Sequence, residues 1–319
     1  AADSGDIIYL KEGVFTNGIF ASGESHCSIA DKSNLAILGG YRGIGTPGVV
    51  DGRSELLNLS PYKKRLFYAT NATLSINNLS FAAGNLGEGK HGGGLRLENC
   101  VAAMTNCIVR NCFVSGGGVS QSTTYGGGIY ATGGSLDFVD GLIVSNNILG
   151  YLHYHGGGVY LGNGISATFA GTKFYRNYNK LTMGGSGGAL ACFSSDLFVR
   201  NCTFEENFII NGDYGAAINV TDGSRLSKVE ISDSYFLGNC HAFASATTPS
   251  LGGCIYMSGS KLEATVCRTV FVDGKPSNSF YPLATAPYNG DYASGAFQFA
   301  SGALSMTNVL FARGASRAT

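Results

Sequence analysis

The chain has 319 residues, and its 21 basic and 21 acidic side chains cancel with no basic run, which excludes an electrostatic nucleic-acid binder. A composition that is 44% apolar excludes a disordered chain, and no apolar stretch reaches the ~18 residues of a membrane-spanning helix, so no transmembrane segment is expected. The 48 glycines, about twice the usual share, fall in clusters and not at every third position, which excludes collagen. With 17 Tyr and 19 Phe among many Gly, Ser, Thr and Asn, the composition points to strands and turns.

In chain order, residues 1–70 offer short apolar runs at 7–10, 35–38, 49–50 and 66–68, separated by Gly, Asn and Ser. They read as irregular first coils. From residue 71 a repeat takes over. Clusters of small residues followed by a large apolar one stand at Gly92-Gly93-Gly94-Leu95, Gly126-Gly127-Gly128-Ile129, Gly156-Gly157-Gly158-Val159 and Gly187-Gly188-Ala189-Leu190. They continue at Gly215-Ala216-Ala217-Ile218, Gly252-Gly253-Cys254-Ile255 and Ser294-Gly295-Ala296-Phe297. After each comes an apolar residue with Asn or Gly three positions later: Ile108/Asn111, Ile143/Asn146, Phe174/Asn177, Phe204/Asn207, Phe236/Asn239, Phe271/Gly274 and Phe311/Gly314, with Phe81/Gly84 before them. A repeat of about 30 residues is a solenoid signature.

Period-two alternation makes the repeat one of strands. Each glycine cluster opens a strand, as in Leu95 and Leu97 around Arg96, or Val159 and Leu161 around Tyr160. A second strand follows (Leu136/Phe138, Leu197/Val199), and a third carries Phe-x-x-Asn. A turn former precedes the third strand at Asn78, Asp140, Gly171, Asn201, Asp233 or Asn308, with Thr105 and Arg268 as exceptions. Three short strands per repeat without helical segments predict an all-β parallel β-helix of about ten coils. The Asn of Phe-x-x-Asn is expected to form a side-chain ladder or a left-handed corner that caps main-chain groups, stacked along one corner in successive coils. No linker interrupts the chain, so residues 1–319 read as one domain, a fragment of a longer chain or one unit of an assembly. Insertions at 113–125, 240–251 and 275–293 are expected to leave from one edge.

The nine cysteines cannot all pair within the chain, and eight lie in apolar, strand-like stretches as buried small hydrophobes. No Cys-x-x-Cys or ligand-spaced His appears, so neither metal nor cofactor is expected.

The glycine-cluster and Phe-x-x-Asn elements, best seen in Gly187-Gly188-Ala189-Leu190 and Phe204-Glu205-Glu206-Asn207, resemble the repeat of the chlamydial polymorphic membrane proteins over residues 74–314. The opening Gly5-Asp6-Ile7-Ile8-Tyr9-Leu10-Lys11-Glu12-Gly13, with Leu35-Ala36-Ile37-Leu38-Gly39-Gly40-Tyr41, resembles the first coils of secreted pectin-lyase-like proteins. The resemblance implies a right-handed helix, extracellular or displayed on a cell surface, used for adhesion.

Two outward stripes follow from the register. One is Arg96, Tyr130, Tyr160, Ala191, Asn219, Tyr256 and Gln298. The other is His91, Tyr125, His155, Ser186, Tyr214, Leu251 and Ala293. Tyr130, Tyr160, Arg96, His91, Tyr125 and His155 are therefore the candidate ligand-contacting residues, with a glycan or a host or cell-surface protein as the partner. A self-stacked aromatic ladder is the competing reading. No catalytic residue is assigned: Glu98, Asp137, Asp140, Asp196, Glu205, Glu206 and Asp213 place no two carboxylates on the tyrosine stripe, and Glu205 and Glu206 are expected to face opposite ways. A polysaccharide lyase or glycosidase, and a passive filament associating through the solenoid ends, remain the alternatives to a binding module.

Overall fold

The computed structural model describes residues 2–16, 24–43, 49–59, 63–87, 89–115, 123–149, 152–180, 183–210, 214–223, 225–242, 254–273 and 297–313. Every strand pairs in parallel with its equivalent in the next turn, roughly 30 residues on, as expected of a β-helix. The strands form a 17-stranded, a 10-stranded, a 6-stranded and a 3-stranded sheet. The helix makes about seven turns, fewer than the ten or so expected. Among the described residues ten strands stack in the second sheet and six in the third.

Two details differ from the sequence reading. The strand after each glycine cluster and the one following it belong to the same sheet. In Leu95–Thr105 and Ile129–Val139 they are one unbroken strand. The insertion at 113–125 contains strands of its own: Phe113–Ser115 in the third sheet and Thr124–Tyr125 in the fourth. Cys240–Ala242 likewise closes the third sheet. Residues 116–122 and 243–251, and all of the insertion at 275–293, lie outside the described residues, as do Asp213, Gly252, Gly253, Gly274, Gly314 and Ser294-Gly295-Ala296.

The interior is built from lines of equivalent residues. One runs Phe15, Leu56, Phe81, Val109, Ile143, Phe174, Phe204, Phe236, Phe271, Phe311. Its later rings stack at 4.3 to 5.1 Å between centroids, and Phe81, Phe174 and Phe204 are wholly buried. This register corrects one repeat. Val109, not Ile108, points inward, so the following ladder position is Cys112 and not Asn111. The corner residue of that turn is then Asn106, left-handed at φ 52°, and the apparent exception at Thr105 disappears. Arg268 is a true exception: at φ 45° it takes a corner that Asn or Asp fills elsewhere, and it ion-pairs with Asp233 one turn back.

The asparagine ladder is present and dry. Asn146, Asn177 and Asn207 are wholly buried, and Asn239 nearly so. The Nδ2 groups of Asn146, Asn177 and Asn207 donate to the Oδ1 of the next Asn at 2.9 to 3.1 Å, and all four ladder amides donate to a main-chain carbonyl one turn back, such as Phe174 O from Asn207 at 3.0 Å. Each Oδ1 also accepts the main-chain N–H of the preceding ladder residue, from Cys112 through to Asn207. At the head of the ladder the Cys112 thiol donates to Phe81 O, as an asparagine would.

The glycine clusters serve this ladder. The first glycine of each cluster from Gly92 to Gly215 is left-handed, as at Gly126 and Gly156 with φ 64° and 73°. The third faces the ladder: a Cβ on Gly128 would lie 2.9 Å from the amide carbon of Asn146, and one on Gly158 3.1 Å from that of Asn177. The two sequence motifs therefore pack against each other.

None of the nine cysteines is in a disulfide, and seven of them are buried. Cys107 and Cys202 alternate with Thr172, Ser234 and Thr269 just past the left-handed corners, each donating to the carbonyl two residues back. Burial holds the Cys107 and Cys202 thiols up at about 11 and those of Cys112 and Cys192 at about 12. Glu205 and Glu206 do not face opposite ways. Glu206 occupies a left-handed corner at φ 51°, so both carboxylates reach solvent and ion-pair one turn back, with Lys173 and Arg176.

Candidate functional site

The outward positions of the first sheet align as the alternation requires. Tyr68, Arg96, Tyr130, Tyr160, Ala191, Asn219, Tyr256 and Gln298 occupy one register line. Beside it Tyr125, His155 and Ser186 pair in the fourth sheet, and Ser186 bridges to Tyr214.

The six candidate residues come together at one end of these lines. Tyr130 and Tyr160 stack with centroids 5.4 Å apart and planes 5° from parallel. His91 lies 4.8 Å from Tyr130 and 5.1 Å from Tyr125, and Tyr125 lies 4.4 Å from Tyr160 and 5.6 Å from His155. The rings form two interleaved rows that turn their faces to one another along the helix axis. Their rims reach solvent, since all five rings are half-buried. The Tyr160 ring also lies back over Gly162, where a Cβ would meet it at 2.8 Å, so that glycine is part of the seat.

Arg96 caps the row. Its guanidinium sits between the Tyr68 and Tyr130 rings, 5.6 and 5.5 Å from their centroids, and pairs with Glu98 at 2.6 Å. Glu98 also accepts the Tyr68 hydroxyl at 2.9 Å. Burial works to raise the Glu98 carboxyl, but the bonds from Arg96 and Tyr68 outweigh it and hold it below the ordinary value. Beneath this layer Arg65, 2% exposed, donates to the carbonyls of His91 and Gly92 and to Ser25 Oγ. Burial, with Arg96 next, lowers its pKa to about 10.

His91 is held neutral. Its Nδ1 accepts the main-chain N–H of Tyr125 at 3.2 Å, which places the proton on Nε2. Burial, then the Arg96 and Arg65 charges, bring its pKa down to about 4. His155 Nδ1 lies 2.7 Å from Ser186 Oγ, which also accepts from Asn219 Nδ2 at 2.9 Å. Burial, with Tyr125 and Tyr130 next, raises the Tyr160 phenol. Past Tyr160 the outward line closes: Ala191 and Asn219 are buried, and Tyr256 is 9% exposed.

Sequence reasoning missed Tyr68, Arg65, Phe193 and the position of Glu98. Tyr68 has no glycine cluster before it, so its alignment with Arg96 was invisible. Phe193 stacks on Tyr160 at 5.6 Å but stands two residues past the outward line, at the end of strand Leu190–Phe193. Arg65 precedes an apolar run and carried no motif. Glu24 also borders the face, paired with Lys90 beside His91, while Asp196 pairs with Arg225 and Asp137 lies in a shallow groove of about 320 Å³ with Asn34, Ser75 and Ala103. Among the described residues no group of three or more His, Cys, Asp or Glu is placed to hold a metal ion, and no helix is long and apolar enough to cross a membrane.

A parallel solenoid carrying aligned outward rows defines a class, and comparison with known families agrees. The family model described as the right handed beta helix region matches residues 65–269, more than half of the chain, and the chain belongs to that family. No curated protein and no solved structure matches the chain significantly.

Proposed function

We propose that this chain is a secreted or cell-surface binding module that takes an extended glycan along the tyrosine–histidine face of its first sheet. The observation that carries the reading is the pair of half-exposed rows, His91–Tyr125–His155 beside Arg96–Tyr130–Tyr160, repeated with the helix turn. A polymer with a regular repeat meets equivalent groups at regular intervals on such a surface. Because the ring faces stack on each other, contact would run through the rims: phenol hydroxyls, imidazole N–H groups and ring edges. The likeness of the glycine-cluster and Phe-x-x-Asn elements to the chlamydial surface-protein repeat supports display outside the cell, and the β-helix fold is consistent with adhesins and with polysaccharide-active proteins.

The mutual stacking favours one competing reading, a ladder that only stiffens the sheet. Substitution to Phe separates the two. Tyr125→Phe and Tyr160→Phe keep the stack and remove the hydroxyls. In a titration of candidate glycans, each is expected to weaken binding about fivefold, the worth of one hydrogen bond, with an unchanged melting temperature. Tyr160→Ala is expected to weaken binding and lower the melting temperature together. Wild-type levels of binding in both Phe variants, or no glycan bound by the wild type, would leave the ladder as the better account.

A further inference from the structure

The charges around the tyrosine–histidine face are gathered at one end of it. Lys90, Arg96 and the buried Arg65 lie there with Glu24 and Glu98, and Lys63 and Lys64 lead into Arg65. Arg65, Lys90 and Arg96 all act on Glu24 and on His91, which gathers the three cations around one corner. Among the described residues that makes five cations against two carboxylates, in a chain whose 21 basic and 21 acidic side chains cancel. With Glu88 counted from the sequence, the excess is still two. The other end of the face, with Tyr160, His155 and Phe193, holds no Lys, Arg, Asp or Glu.

The two carboxylates do not use up these charges. Glu24 pairs with Lys90, and Glu98 with Arg96. Arg65 bonds to neither. Its N–H groups go to the carbonyls of His91 and Gly92 and to the Ser25 hydroxyl, so a full charge lies buried on neutral acceptors. Such a charge projects a positive potential onto the layer above it, which is His91 and Arg96. Arg96 can answer an anion directly: Nη2 bonds to Glu98, Nη1 makes no hydrogen bond among the described residues, and the side chain is 26% exposed. Lys90 is 43% exposed, and of its three N–H donors Glu24 takes one. His91 adds a neutral N–H at Nε2.

From this we propose that the glycan taken by this face is acidic, and that one carboxylate or sulfate group of each bound segment docks at the basic end, against Arg96 and Lys90. The inference rests on the glycan-binding reading above. The sugars that follow the acidic one run on along Tyr130, Tyr125 and Tyr160. An oxyanion accepts charge-assisted bonds from Arg96 Nη1 and from the Lys90 ammonium, and its charge balances the Arg65 guanidinium beneath them. Because the cations stop at this end, the face orients the glycan and reads a single acid, not one on every sugar.

The test is a titration with short oligosaccharides in matched forms: neutral, with one terminal uronic acid, with one terminal O-sulfate, and with a uronic acid on every unit. A singly acidic form is expected to bind about tenfold tighter than its neutral partner, the worth of one charge-assisted hydrogen bond. Salt at about 1 M, where charges are screened within about 3 Å, should close that gap. The fully acidic form should gain no further step of that size. Preference for the uronic acid or for the sulfate supports the proposal either way and tells which oxyanion fits the corner. Arg96→Gln and, separately, Lys90→Gln should cost the acidic form about tenfold more than the neutral one, whereas Tyr160→Phe should weaken both alike. Circular dichroism checks folding, and Lys90→Gln carries the test should Arg96→Gln fail to fold. Equal binding of neutral and acidic forms overturns the proposal and leaves the glycan-binding face standing. A preference that survives both Gln variants, or that rises by a like step with each further acid, overturns the docking at this corner. Binding of no form removes the glycan reading itself, and this inference with it.

Discussion

Asn207 shows how much one side chain does in this fold. It accepts the main-chain N–H and the side-chain amide of Asn177, and donates to Phe174 O and to Asn239, while wholly buried. Asn207→Ala strands those groups in the interior and is expected to cost about 2–3 kcal/mol in a denaturant titration. A loss below about half a kcal/mol would mean that the neighbours re-pair. The thiols give a second check at this scale. With Cys107, Cys112, Cys192 and Cys202 buried and held at about 11 to 12, none should react with iodoacetamide in the native state at neutral pH, and all should react in denaturant. Rapid native labelling at any of them would contradict their placement. The ladder from Asn146 to Asn239 was legible in the sequence because each residue follows its Phe or Ile by three. The slip at Asn111 has a physical cause. Ile108 and Val109 are both apolar, so alternation does not choose between them, and the true ladder position holds a cysteine whose thiol imitates the amide.

At the scale of strands and their faces, the two outward rows were legible because alternation fixes which residues share a side. The strands of the third sheet were not. Phe113–Ser115 and Asn147–Leu149 are three residues long and show no alternation, and they are held by their neighbours in the stack rather than by their own pattern. Sequence could not show that the rings would consume one another's faces, since that depends on side-chain direction. The rows also carry a pH dependence. His91 has a folded pKa of about 4, below the ~6.5 of an unfolded histidine. The unfolded chain therefore binds more protons between those values. The His91 contribution is complete above about pH 6.5 and is lost as the pH falls towards 4, on the order of 1–2 kcal/mol for this half-buried ring. His91→Phe keeps a flat ring against Tyr125 and Tyr130 and removes the proton site. Melting curves from pH 7 to pH 4 should fall less steeply for that variant than for the wild type, and parallel curves would show that His91 does not set the slope.

The whole molecule is a stack in which each turn touches only its neighbours, so stability should vary along it. The end strands are open, with Gly13–Thr16 exposed throughout and Ala303–Thr307 nearly so, while the middle turns bury every inward residue. Amide exchange should therefore be slowest around the second-sheet strands from Leu142–Val144 to Tyr235–Leu237 and fastest at Gly13–Thr16 and Leu310–Arg313. Phe204→Ala tests whether the turns are energetically local. Phe204 is wholly buried between Phe174 at 4.3 Å and Phe236 at 4.7 Å, so its truncation opens a cavity costing about 3–5 kcal/mol. If coupling runs only between neighbours, protection should drop in Lys173–Tyr175, Thr203–Glu205 and Tyr235–Leu237 and stay at the wild-type level in Leu79–Ala82, four turns away. A uniform drop from end to end would instead show the helix unfolding as a single cooperative unit.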